Sequence, residues 1–225
     1  MFAVAGSWTS SWARSDAMTE QEWLACPDPQ KMLAFLRGKA SERKLRLFAV
    51  ACCRRSWPLL TDERSRKAVE VAERYADGIV NERGLRFAFS CAADAFAYAA
   101  STHTADPQAA AGAANAARPE AGYYARYVTP RKEHPGPLRD LFGPLPFRPV
   151  TVSPGWQTPQ VVAQAQAAYD ERELPAGTLN ITRLAVLADA LEEAGCTDAD
   201  LLNHCRRPGV HVRGCWAVDL VLGQS

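Results

Sequence analysis

No run of apolar residues in this chain approaches the roughly 20 that a membrane-spanning helix needs, so an integral membrane protein built on helices is not expected. A basic surplus is missing too. Lys and Arg number 26 against 25 Asp and Glu, a formal charge of +1, whereas a dedicated nucleic-acid or membrane-surface binder is usually strongly basic. The first residues lack a positively charged segment, and their apolar piece, 1–6, is too short for a secretory signal. The seven cysteines are an odd number and Cys52 and Cys53 are adjacent. A disulfide framework is therefore not indicated, and free thiols in a reducing compartment, the cytoplasm, are expected. There is no GxSxG, P-loop, GxGxxG or HExxH pattern and no internal repeat, so none of the common catalytic or nucleotide-binding signatures applies.

What is present reads as helix. Apolar residues make up 48% of the chain, the globular norm, and 225 residues suffice for one sizeable core. Residues 1–17 show no helical spacing and read as a tail, disordered or additional to the domain. Thr19-x-x-Glu22 is a capping box that opens the folded part. Asp28-Pro29 and Ser41 start two further helices. The second of these, 41–57, is polar only at Arg46 between residues 45 and 53. A helix apolar nearly all round must be covered on several sides, so it is expected at the centre of the N-terminal half, packed against the C-terminal helices in one common core. Thr61 or Asp62 opens another helix that ends at Gly78, followed by 82–101 with its phenylalanines and by the alanine-rich 106–117.

Residues 118–157 break the pattern. Pro119, Pro130, Pro135, Pro137, Pro144, Pro146 and Pro149 exclude long regular elements, and only 138–142 is expected to make a helical turn. The stretch 147–152 reads as a short strand or a segment lying across the helices. Thr158-Pro159 then caps a helix, residues 181–194 form the next, Thr197 opens a short one to Arg206, and 215–222 forms the last. The fold class expected is all-α, a compact multi-helix single domain (18–225) with a long Pro-rich crossing loop between helical halves 18–117 and 158–223.

The residues with chemistry cluster in 187–223, which holds three of the seven cysteines and two of the four histidines. His204, Cys205, His211 and Cys215 are candidate zinc ligands, since thiolate and imidazole at short spacing across Pro208-Gly209 can close a tetrahedral site. Cys196 competes with His204 for the fourth place. His204 and Cys205, as helix neighbours, point about 100° apart. The spacing matches no CxxC or HxxxH pattern, and a buried Cys or a His capping carbonyls would look the same. A thiol enzyme pairing Cys215 or Cys205 with His204 or His211 ranks lower still, because no orienting third group or oxyanion hole is visible. The vicinal Cys52 and Cys53, inside the most apolar helix, read as inert.

Asp219 is the only charge between Arg213 and the C-terminus and falls inside an apolar helix. It is expected to be at least half buried and to accept a hydrogen bond from an arginine, first of all Arg54 or Arg55, which end the other strongly apolar helix. The basic set Arg37, Lys39, Arg43, Lys44, Arg46, Arg54 and Arg55 and the acidic set Asp189, Glu192, Glu193, Asp198 and Asp200 are expected to pair between the halves.

The stretches WLACPDPQKMLAFLRGKASERKLRLFAVACCRRSW, DERSRKAVEVAERYADG and LADALEEAGCTDADLLNHCRRPGVHVRGCWAVDLVLG resemble an uncharacterised family of bacterial hypothetical proteins, whose members begin at the position of Met18. The resemblance implies no activity, ligand or catalytic residue. The sequence thus points to a helical interaction or regulatory module, with protein as partner and no cofactor. A zinc-stabilised helical domain is the alternative and a thiol enzyme the third reading.

Overall fold

Each N-terminal helix begins where a side chain can take up free backbone N–H groups. Thr19 and Glu22 close the capping box of α1 (Glu20–Ala25). Asp28 caps α2 (Pro29–Phe35), with its proline in the first turn, Ser41 caps α3 (Glu42–Arg55), and Asp62 caps α4 (Glu63–Ala76). Next come α5 (Glu82–Thr102) and α6 (Pro107–Ala116), capped by Asp106. After the Pro-rich stretch are α7 (Pro135–Phe142), α8 (Pro159–Asp170) capped by Thr158, α9 (Ile181–Glu193) capped by Asn180, α10 (Ala199–Arg206) capped by Asp198 and α11 (Trp216–Leu222). The computed structural model describes residues 18–102, 106–119 and 135–224; the tail expected at 1–17 lies outside them. Among the described residues there is no strand, only isolated bridges joining Thr178 to Glu173 and to Val212. None of their helices is long and apolar enough to cross a membrane. The fold is all-α, a single compact domain.

Helix α3 is covered as an all-round apolar helix must be. It packs on α4, α6 and α7, and even its buried cations have partners. The Arg46 guanidinium donates to the carbonyls of Ala116, Arg118 and Pro119 at 2.9, 2.7 and 2.9 Å, closing the end of α6. Arg54 meets Glu73 of α4 at 2.6 Å.

The expected single core is corrected: buried apolar side chains form two clusters. One gathers α1 to α6 with Leu138, Leu141 and Phe142 of α7 and with Val212. The other gathers α8 to α11, including Tyr169, Leu187, Cys205 and Trp216. Helix α7 is the keystone, packing on α2 and α3 on one side and α11 on the other. It is a two-turn helix where a single turn was expected. Proline at its first position needs no N–H, Pro137 is still within the first turn, and Gly143, at φ 49°, ends it. The stretch 147–152 forms no strand and lies between α7 and the C-terminal helices. Where the clusters meet, polar and charged side chains are buried.

Candidate metal centre

Four side chains converge from three pieces of chain. Helix α7 brings Asp140 in its last turn, and α10 brings His204. The chain then turns through Pro208-Gly209. There the Leu179 N–H donates to the His211 carbonyl at 2.8 Å and Val212 bridges Thr178, which fixes His211 against the C-terminal half. Cys215 sits at the entrance to α11, its N–H bound to the Val212 carbonyl at 2.9 Å. One ligand-capable atom from each of Asp140, His204, His211 and Cys215 lies within 4.8 Å of every other, and all four residues are buried. These four could hold a metal ion.

The hydrogen bonds orient the group. Asp140 accepts the Val212 N–H on Oδ2 at 2.8 Å. Its Oδ1 faces His204 Nε2 at 3.1 Å and His211 Nδ1 at 2.7 Å. His204 Nε2 is also 3.1 Å from Cys215 Sγ. The edge of a tetrahedron about zinc is roughly 3.3–3.6 Å for N, O and S ligands at their usual bond lengths, so these separations come close to a ready-made cage. His211 has the orientation of a metal-ligating imidazole. Its Nε2–H donates to the Arg207 carbonyl at 3.1 Å, which leaves the Nδ1 lone pair aimed at a carboxylate oxygen. Two acceptors 2.7 Å apart require something positive between them, a proton or a cation. His204 departs from that pattern. The Trp216 indole N–H donates to its Nδ1 at 3.0 Å, so the neutral ring carries its proton on Nε2 and aims it at Asp140 and Cys215.

This asymmetry explains why two histidines on one carboxylate oxygen shift in opposite directions. Burial pushes His204 down and outweighs the Asp140 contact, and a proton added at its Nδ1 would face an indole donor. For His211 burial also pushes down, but the bonds to Asp140 and to the Arg207 carbonyl outweigh it and raise the ring. The Asp140 carboxyl is pushed up by burial, yet the bonds to His204 and His211 hold it at about 2. Burial drives the Cys215 thiol well up, so thiolate forms there only when a cation compensates. As a catalytic relay the set is poorly arranged. Asp140 and Cys215 share one nitrogen of His204 instead of opposite ones, and Cys215 is 0% exposed.

The structure therefore brings together His204, His211 and Cys215 of the expected ligands, and not Cys205. On α10, Cys205 is turned from His204 into the C-terminal apolar cluster, where burial pushes its thiol up to about 12. Cys196 lies in the same cluster. The fourth member is Asp140, which reasoning from Cys and His spacing missed. A lone carboxylate at the fourth position of PLRDLFG, among leucines and a phenylalanine in a helix-starting and helix-ending frame, was the available signal. The vicinal thiols are buried in α3, and burial drives Cys52 upward and Cys53 up to about 12.

Asp219 is 1% exposed and bound by an arginine, as expected, but the arginine is Arg43 and not Arg54 or Arg55. The Arg43 guanidinium forks onto it at 2.5 and 3.1 Å, Lys44 Nζ lies at 2.6 Å, and the Tyr169 hydroxyl donates at 2.6 Å. Arg54 is bound instead to Glu73 and to the Pro175 carbonyl, and Arg55 is exposed. The reason is the length of α3. About 17 Å of helix separates its first turn from its last, and α11 reaches only the first. The acidic set does not face the basic set either: Asp189 and Glu192 bind Arg206, and Asp200 binds Arg148.

Compared with models of protein families, with curated proteins and with solved structures, the chain matches none.

Proposed function

We propose that Asp140, His204, His211 and Cys215 hold one zinc ion, and that this ion is structural, pinning α7 to the C-terminal helices. The observation that carries the reading is the convergence of four different ligand atoms within 4.8 Å in a buried place. His211 supports it, being oriented by a carbonyl as metal-binding imidazoles are. One sulfur, two nitrogens and one oxygen suit zinc and disfavour calcium or magnesium, which take oxygen sets. Four protein ligands and no exposed position favour a structural over a catalytic ion. Of the four, Asp140, His211 and Cys215 fit directly. His204 fits once its Nε2 proton gives way to the metal, and a proton on Nδ1 would then oppose the Trp216 N–H.

A second reading is favoured by that same Trp216 contact: a metal-free hydrogen-bonded network in which protons occupy the place of the ion. Elemental analysis of purified full-length protein separates the two. The zinc reading expects one zinc per chain, and cobalt replacement should give the intense visible bands of a tetrahedral thiolate site. Cys215→Ser and Asp140→Asn should lose the metal, while Cys205→Ser should keep it. Protein that carries no metal and melts at the same temperature with added zinc would leave the hydrogen-bonded network as the account.

A further inference from the structure

Next to the buried cluster is an open cleft of about 210 Å³ lined in part by His204 and Trp216. Its walls carry three guanidinium groups from separate parts of the chain, Arg139 on α7, Arg148 after it and Arg207 after α10. The two carboxylates at the rim, Glu20 and Asp200, are both engaged by Arg148. Arg139 is held in place by donating to the carbonyls of Cys26 at 2.6 Å and Trp23 at 3.4 Å. The side chain of Arg207 has no hydrogen-bond or ion-pair partner among the described residues. The wall also contains Trp23, which is 0% exposed and whose indole N–H finds no acceptor among the described residues.

We infer that this cleft binds a small oxyanion, a phosphate or carboxylate group, between Arg139 and Arg207 and beside Trp23. A concave site with surplus guanidinium donors and a low-dielectric indole in its lining concentrates negative charge, and guanidinium groups match the planar or tetrahedral oxygen arrays of such groups. The volume admits one such group rather than a drug-sized molecule. The inference does not depend on the zinc reading, because none of the cleft donors is a proposed ligand.

The test is calorimetric titration of the full chain with inorganic phosphate and, separately, with acetate, against chloride of equal ionic strength. It is run on protein as purified and after chelation. Saturable binding of phosphate, of acetate or of both supports the site and says which group it takes. Arg207→Ala should weaken that binding about tenfold at unchanged melting temperature, and Lys67→Ala, an exposed cation on α4, should leave it alone. Absence of saturation with either anion, or binding undiminished in Arg207→Ala, would overturn the inference. The zinc content of Arg207→Ala, measured on the same sample, keeps the two readings separate, since only the backbone carbonyl of Arg207 touches the cluster.

Discussion

A carboxylate with two cations against it is costly to bury and more costly to remove. Asp219 shows both sides. Burial pushes its carboxyl up, but Lys44 and Arg43 outweigh this and hold it below the ordinary carboxylate range. A folded-state pKa below the unfolded one means the stabilisation is present above the unfolded value of about 3.9 and is lost as pH falls through the lower folded value. The carboxylate thus contributes fully at neutral pH, and its contribution should disappear on acidification below about pH 4. Replacing it by alanine strands Lys44 and Arg43 in a seam where both are largely shielded. Asp219→Ala should therefore cost about 3 kcal/mol or more at pH 7, roughly 6 °C or more in melting temperature for a chain of this size, and the difference from wild type should shrink toward pH 3. A variant that melts within 2 °C of wild type at neutral pH would contradict this. The burden on Asp219 was legible because a single charge in CWAVDLVLG must find a partner. Its identity was not, because a sequence does not tell which end of α3 meets α11.

At the scale of elements, helix boundaries were the most legible feature, since caps such as Thr19, Asp28, Ser41 and Thr158 act locally and their hydrogen bonds need only the next three residues. Helix α7 was the least legible. Its prolines resemble loop punctuation unless they are placed in a first turn, and its only ionisable groups, Arg139 and Asp140, find partners distant in sequence. One of the four candidate ligands, Asp140, was hidden with it, because a site built through space leaves no spacing rule behind. Both neighbours, His204 and Cys205, stood in the candidate set read from the sequence, and packing took only His204. The end of α7 is also where a single atom matters. Gly143 has φ 49°, and a Cβ there would run into the indole of Trp216, the ring that donates to His204. Gly143→Ala should cost about 2 kcal/mol or more, combining left-handed strain with overpacking. It should also displace the indole, read as a shift of the Trp216 side-chain N–H resonance. An unshifted resonance and unchanged stability would show that the loop after α7 yields freely.

In the whole molecule, two apolar clusters meet across a seam of buried polar groups: Asp140 with the two histidines and Cys215, Asp219 with Arg43 and Lys44, and Glu73 with Arg54 and Arg172. Ion pairs in such a place lose much of their Coulombic gain to desolvation, whereas an ion bound only by the folded state adds its binding free energy to stability. A zinc ion held as proposed would therefore be the strongest fastener of the seam. At a free concentration 100 times its dissociation constant it would contribute about 2.7 kcal/mol, which for this chain length is roughly 5–10 °C. Chelation should lower the melting temperature by that amount, and zinc, not magnesium, should restore it. The loss should not be uniform. Amide exchange should accelerate in α7, in α10, in the loop 207–215 and at the start of α11, where the proposed ligands sit, while α4 and α5, which share none of them and pack on each other, should keep their protection. Uniform acceleration would mean that the ion fastens nothing local. Unchanged exchange would mean that the arginine and lysine pairs hold the clusters together without it.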